Sequence, residues 1–522
     1  MTDIQLDLPF NIRPLHTTGQ VRTILIDNQT KTDLDVDNFL LIPINVCDHK
    51  PVVTDTTLIK IHPSDQGGFT RIDVDLTEFG AAQYIVILAE LTNSYRIIMQ
   101  TDQPVGTRAK HYTQVESFLP TCEWQTYAIP LTCNTNDYAL LFSSCQYPGD
   151  LFRRETPKAT LVRAKTTLEE EIYQNASAYL LVAGDGVYVD PTAGLFEPKT
   201  EHEIFSVAYE SQARSVEWQS LLVKMQGTCF AIDDHELIDN WEPSADERTN
   251  EELNARLGVG REWFLRRRYG EEDTGQVLWG EHRLGEIPLF VMDTRTERDL
   301  RTPQNHRTAA MTGVKQMLAL KEWLTAIENK PDFQSVPKIV LSPAMILPRT
   351  LRTAEQTQAV NNLNCKNENE DTVVSLASDS WDGFPQTTGE LLGFIAEHQI
   401  HNVIFLSGDE HISCIAEAQL SSDSGQPPVT IHSIHASPLY GPYPFANARI
   451  EDFANSEAFC QPYLDDSNTA NRVHVKANTT ISLAGDAFGL LHIKKSPSDG
   501  WHVSVTLSVA GHQDKTVKLS GI

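Results

Sequence analysis

The sequence predicts an α/β protein, an α+β sandwich of mixed β-sheets flanked by helices, preceded by an all-β domain. Three observations carry that expectation. Residues 1–135 hold short β-branched runs separated by Asn, Asp, Pro and Gly, with no apolar stripe long enough for a three-turn helix. From residue 136 onward, short apolar runs alternate with segments of 3–4 periodicity, the pattern of strands joined by helices. Several of those apolar runs end in Asp, His, Tyr or Cys, and α/β proteins bind ligands at the carboxyl ends of their strands.

In the first domain, 1–135, residues 71–76 alternate apolar and polar as a half-buried strand does. The runs 39–42, 58–61 and 84–88 add further strands, and their short spacing suggests a sandwich. This domain carries no chemical motif and reads as a packing or recognition module. In the second domain, 136–522, strands are expected at 138–142, 179–182, 228–232, 289–292, 339–341 and 403–406. One helix is marked by Ile204, Phe205, Ala208 and Tyr209, then Trp218, Leu221, Leu222 and Met225. A second is marked by Val314, Met317, Leu320, Leu324 and Ile327, and a third crosses 391–395. Residues 429–434 and 501–509 read as strands completing the same sheet. The polar stretches 241–286 and 349–369 read as long surface insertions, the first with Arg261, Arg266, Arg267 and Arg268 among many acids.

Composition narrows the functional classes. The 522 residues carry 42 Lys and Arg against 70 Asp and Glu, a formal net charge of −28. Such a field repels phosphate polymers and argues against nonspecific binding to nucleic acid or anionic membrane. A small phosphorylated substrate stays compatible, because a bound cation inverts the local potential. No run is long enough for a membrane span, and the opening residues lack the basic and apolar regions of a secretory signal, which reads as cytoplasmic. The eight cysteines are scattered without a CxxC pair, so most read as buried thiols. The oligomeric state is not legible.

Four strand ends carry potential donors: Cys145; then Asp185, Tyr188 and Asp190; then Asp233, Asp234 and His235; then Asp409 and His411. Singly, each has a bland reading: a buried thiol, a Gly-Asp turn, a charged cap, a surface loop. Together they are poorly explained by solvated loops. So many carboxylates at one sheet edge need cations to offset their repulsion.

The order Ser143-Ser144-Cys145-Gln146, 184–190 (Gly-Asp-Gly-Val-Tyr-Val-Asp), 233–241 (Asp-Asp-His-Glu-Leu-Ile-Asp-Asn-Trp), Asp293-Thr294-Arg295, 379–385 (Asp-Ser-Trp-Asp-Gly-Phe-Pro) and 406–411 (Leu-Ser-Gly-Asp-Glu-His) resembles the PhoD-like alkaline phosphatase family, within the calcineurin-like metallophosphoesterases. The resemblance runs from Ser143 to His411, with 484–509 similar to the family's closing strands. It implies a two-metal site in which Asp185 bridges. Cys145, Tyr188 and His411 complete an iron position, and Asp234 and Asp409 belong to a calcium position. His235 matches a histidine placed near the leaving-group oxygen. Asp190 and Asp233 lie close enough to be ligands or to hold ligands in place. Asp379 and Asp382 stand at the rim, with Asp379 or Asp382 completing the calcium position or Trp381 simply packing the loop. Arg295 either meets substrate phosphate or pairs with Asp293 or another buried acid.

The implied activity is hydrolysis of phosphate mono- or diesters by attack of a metal-bound hydroxide, a hydrolase acting on phosphoric ester bonds. Tyr188 on iron would give a visible charge-transfer band. Ser143 and Ser144 read as turn residues rather than nucleophiles, because attack by a metal-bound hydroxide needs no phosphoenzyme serine. The resemblance leaves periplasmic or extracellular residence open. The competing reading is a noncatalytic binding or adhesion protein on a relict scaffold, which predicts eroded ligands; here every main ligand type is present.

Overall fold

The structure is a computed structural model. It describes strands between residues 11 and 130 and most of the chain from 136 to 521; outside it lie chiefly 149–155, 191–199, 271–274, 349–363, 368–371, 442–449 and 465–468, together with single positions including Asp379.

The N-terminal strands form two small sheets. Asn11–Thr18, Val21–Asp27 and Phe69–Asp75 make an antiparallel three-stranded sheet. Val36–Cys47 pairs with Lys50–Val53, Ile59–Ile61 and Tyr84–Leu91 in the other. All four strands expected in this region from the sequence are present.

The rest is a pair of mixed sheets stacked face to face. In the first, Gly227–Ala231, Ser177–Ala183 and Asp137–Ser143 run parallel, and Ala487–Ser496, Gly500–Val509 and Lys515–Lys518 continue the sheet antiparallel. In the second, Ile287–Val291, Lys338–Ser342, Val403–Ser407 and Val429–Ala436 run parallel. Gly280–Leu284 flanks them on one side, and Ile412–Ser422, Ala470–Ala484 and Glu457–Leu464 on the other. The closing strands therefore divide: 429–436 belongs to the second sheet and 500–509 to the first, not to one common sheet. Helices cover the two outer faces.

This arrangement explains why the parallel strands read as continuous apolar runs. Tyr138, Leu140 and Phe142 point inward to meet Leu289, Val291, Ile339, Leu341, Ile404 and Leu406 between the sheets. Ala139 and Leu141 point outward to Leu161, Trp218, Leu221 and Phe264. A strand buried on both faces has no polar side to alternate with. The outer face of the second sheet is covered by Val314–Glu328 and Pro385–Glu397 through Leu320, Leu324, Leu391 and Ile395.

Two expectations change. The helix expected across 204–225 is two, Glu201–Ala213 and Val216–Leu222; the second restarts at Ser215, whose side chain accepts from the Trp218 amide. The stretch 241–286 is only in part a surface insertion, exposed through most of 242–259 and buried where it continues. Asp246 caps a helix, Glu247–Phe264, that runs into the π-helical turn Leu265–Tyr269. Trp263, Phe264, Leu265, Arg267 and Arg268 are buried. Of the second polar stretch, only the strand Asn364–Asn367, paired with Thr372–Ser375, falls among the described residues.

Candidate metal centre

The donors sit on loops at one end of both sheets. Cys145 follows Asp137–Ser143, and Asp185, Tyr188 and Asp190 follow Ser177–Ala183; Asp233, Asp234 and His235 follow Gly227–Ala231. Asp409 and His411 come from the second sheet, after Val403–Ser407. Backbone and side-chain bonds lace these loops together. The Cys145 amide donates to the Gly184 carbonyl at 3.4 Å, the Gln146 amide to that of Asp185 at 2.9 Å, and the Val189 amide to that of His235 at 3.0 Å. Across the sheets, the Asp409 amide donates to Ser144 Oγ at 3.1 Å. Ser143 Oγ donates to the Ala436 and Ala487 carbonyls. Ser143 ends the strand Asp137–Ser143, and Ser144 follows it in the loop that meets Asp409.

The backbone marks the same residues. Seven described residues other than glycine have positive φ, and four of them are Cys145 (53°), Asp185 (52°), Asp409 (75°) and His411 (37°). An L-residue in this region costs about 1–2 kcal/mol, and strain of this kind concentrates at functional sites.

Cys145 Sγ lies 3.3 Å from Asp185 Oδ2, and Tyr188 Oη lies 3.4 Å from His411 Nε2. Carboxylate oxygens of Asp185, Asp233, Asp234 and Asp409 all fall within 4.8 Å of one another, and Asp185, Asp234 and His235 form a second such group. Asp185, Asp233 and Asp234 are buried, and Asp233 Oδ2 and Asp234 Oδ1 accept no hydrogen bond. Burial pushes the Asp185 carboxyl well above its ordinary range, reinforced by Cys145, Asp234, Asp233 and Glu236. Burial also pushes the Cys145 thiol up to about 12, with Asp409 adding to it, and raises the Tyr188 phenol. These groups are costly to ionise in the protein alone, and a bound cation reverses each shift. The carboxylates therefore fit a metal site; Cys145 touches Asp185 and Tyr188 touches His411, but neither Cys145 nor His411 belongs to either of the two groups.

His235 sits beside this cluster. Its Nδ1 is 2.8 Å from Asp190 Oδ1, its amide donates to Asp185 Oδ1 at 3.2 Å, and its ring stacks on Tyr188 with centroids 3.9 Å apart. Burial disfavours its protonation, but Asp234, Asp190 and Asp239 outweigh that and raise it to about 9. Arg295 is fully enclosed. Its Nε donates to Asp233 Oδ1 at 2.6 Å and its guanidinium reaches Asp234 at 3.6 Å, so it pairs with buried acids as the blander reading expected. Burial, the largest single influence, raises Asp234, but Arg295, His235 and backbone hydrogen bonds together outweigh it, and Asp234 ends below the ordinary carboxylate range. Asp382 is buried and takes a hydrogen bond from Ser378 Oγ, outside both acidic groups. Trp381 packs the loop, donating to Ser342 Oγ at 3.0 Å. Asp379 lies outside the described residues.

Sequence reasoning quoted Glu236 within its motif but gave it no role. Its carboxylate accepts the amides of Asp185 (2.9 Å), Gly186 (2.6 Å), Val187 (3.3 Å) and Asp233 (2.9 Å). A lone Glu after Asp-Asp-His gives no sign of such a task; Gly184 and Gly186 beside Asp185 hint only at a tightly folded loop.

The fold is a stacked pair of mixed sheets with buried acids gathered on the loops at one end. The model of the PhoD-like phosphatase family matches residues 166–503, well over half of the chain. The chain belongs to that family, which is one of metal-dependent phosphoric ester hydrolases. Among solved structures, "Structure of PhoD" superposes with a TM-score of 0.53 at 12% identity, covering 99% of this chain and 93% of that one, a likeness of fold. GAP50, the anchor in the inner membrane complex of Plasmodium, matches at a TM-score of 0.32 and 10% identity over 74% of this chain and 89% of that one. No curated protein matches the sequence. Among the described residues, no helix is long and apolar enough to cross a membrane.

Proposed function

We propose that the protein hydrolyses small phosphate monoesters, diesters or both at a pair of unlike cations sharing Asp185. The observation that carries this reading is the position of Asp185: one carboxylate oxygen faces the Cys145 thiol, and its carboxylate also belongs to the cluster with Asp233, Asp234 and Asp409. Cys145, Tyr188 and His411 with Asp185 would hold iron, because thiolate, phenolate and imidazole suit a transition metal. Asp185, Asp234 and Asp409 would hold calcium, which prefers oxygen. Bound there, the cations would supply Lewis acidity and lower the pKa of water.

The protein's own groups handle the leaving group. Asp190 engages His235 at Nδ1, which leaves Nε2 to carry a transferable proton. Asp190 and Asp239 beside it favour the protonated ring. An imidazolium so placed donates to the departing alkoxide. The Tyr188 face fixes the ring plane, and Arg295 pairs with Asp233 and Asp234 and favours their ionised forms.

The test is turnover of p-nitrophenyl phosphate and bis(p-nitrophenyl) phosphate with iron and calcium supplied, beside elemental analysis and an absorption spectrum. Hydrolysis of at least one ester, lost in Cys145→Ala and Asp185→Asn, is the expected result. A visible band absent in Tyr188→Phe places iron. No turnover and no bound metal would sink the reading and leave the noncatalytic one; full activity in either variant would overturn the site assignment.

A further inference from the structure

The clamp on the Asp185 loop is itself supported by a buried cation from the stretch 241–286. Arg268 is 2% exposed in the turn Leu265–Tyr269. A π-turn of this kind is often found at functional sites. Tyr269 fixes the turn to the strand Gly227–Ala231, its hydroxyl accepting the Phe230 amide at 3.2 Å and donating back to the Phe230 carbonyl. The Arg268 guanidinium lies over the Phe230 ring at 4.3 Å and the Tyr209 ring at 5.1 Å. One nitrogen donates to Gln212 Oε1 at 2.6 Å, while Nε and Nη2 have no hydrogen-bond partner. Gln212 in turn donates to Gln146 Oε1 at 2.7 Å and to the Gly186 carbonyl. A methyl group added to Gly186 would sit 2.8 Å from Arg268 Nη2 and 3.5 Å from Glu236 Oε1. Glycine at 186 therefore leaves the space in which the guanidinium and the Glu236 carboxylate share one side of the loop.

A buried guanidinium leaving two N–H groups unsatisfied is costly unless its charge is used. We propose that Arg268 is a positioning residue: its charge balances Glu236, and through Glu236 and Gln212 it fixes the backbone of 185–187 from which Asp185 and Tyr188 project. The proposal rests on the phosphoesterase reading for its catalytic consequence, but not for the clamp itself.

Arg268→Met and Arg268→Lys separate the charge from packing. Hydrogen exchange of metal-free protein over 184–190 reads the clamp, with the strand Val403–Ser407 as internal control. Calcium titration and kcat and KM for p-nitrophenyl phosphate read its consequence. Arg268→Met should speed exchange at 185–187 at least tenfold while leaving 403–407 unchanged, and weaken calcium binding at least tenfold. Arg268→Lys should recover most of the protection. Unchanged exchange and calcium affinity in Arg268→Met would overturn the proposal, as would equal loss in the Lys and Met variants. Should Arg268→Met fail to fold, Gln212→Met decides: faster exchange at 185–187 supports the bridge and wild-type exchange refutes it. A wild-type protein that turns over neither ester overturns the phosphoesterase reading, while the exchange result still decides the role of Arg268.

Discussion

At the scale of single residues, the centre combines groups that were easy and hard to find. Asp185 and Asp409, which share an acidic group, were legible because they follow apolar runs that mark strand ends in the sequence. Glu236 and Arg268 were not, because their roles depend on what tertiary packing encloses: Arg268 stands in a stretch of mixed charges that reads as solvated. Glu236→Gln keeps the shape but replaces an acceptor of four amides with a group bearing its own N–H donors. Leaving a buried polar group unsatisfied costs roughly 1–3 kcal/mol; chemical denaturation should show a loss of about that size. His435 gives a pH signature. It is fully buried, neither ring nitrogen has a hydrogen-bond partner, and burial, then His411, lowers it from 6.5 to about 3. Between those values the unfolded chain binds a proton that the folded one refuses. Stability contributed by the neutral ring is therefore present above pH 6.5 and lost as pH falls toward 3, by about 1.4 kcal/mol per unit. Unfolding free energy against pH in His435→Asn should lack that part of the slope.

At the scale of elements, the parallel strands were found within a residue or two because burial on both faces makes them apolar throughout. The helix Glu247–Phe264 was missed because its buried side chains gather at its C-terminal end, so no full-length stripe announces it. The break between Glu201–Ala213 and Val216–Leu222 is a capping event at Ser215 that apolar spacing alone passes over. Loops decide how the elements meet. Gly408 has room for no side chain: a Cβ would stand 2.3 Å from both the Ala183 carbonyl oxygen and Ser144 Cβ. Gly408→Ala must push the second-sheet loop off the first-sheet loops. Overpacking of this kind costs about 1–3 kcal/mol; thermal unfolding should show the drop, with metal binding weakened because Asp409 follows directly.

At the scale of the molecule, the fold class was legible but the division into two sheets was not. Nothing in the run 501–509 says that it joins the sheet of Asp137–Ser143 rather than that of Val403–Ser407; sheet membership is set by long-range pairing. The two sheets share one core, in which Ile404 is fully enclosed. Ile404→Ala should cost about 2–5 kcal/mol in a denaturant titration, and the loss should be seen equally by probes in both sheets. The pairing of Asp137–Ser143 also has a consequence for how the protein is made. That strand is flanked on one side by Ser177–Ala183 and on the other by Ala487–Ser496. During synthesis it can pair on its first side early, but its second partner emerges only some 350 residues later. Until then an apolar strand edge stays bare, open to association with other chains through most of translation.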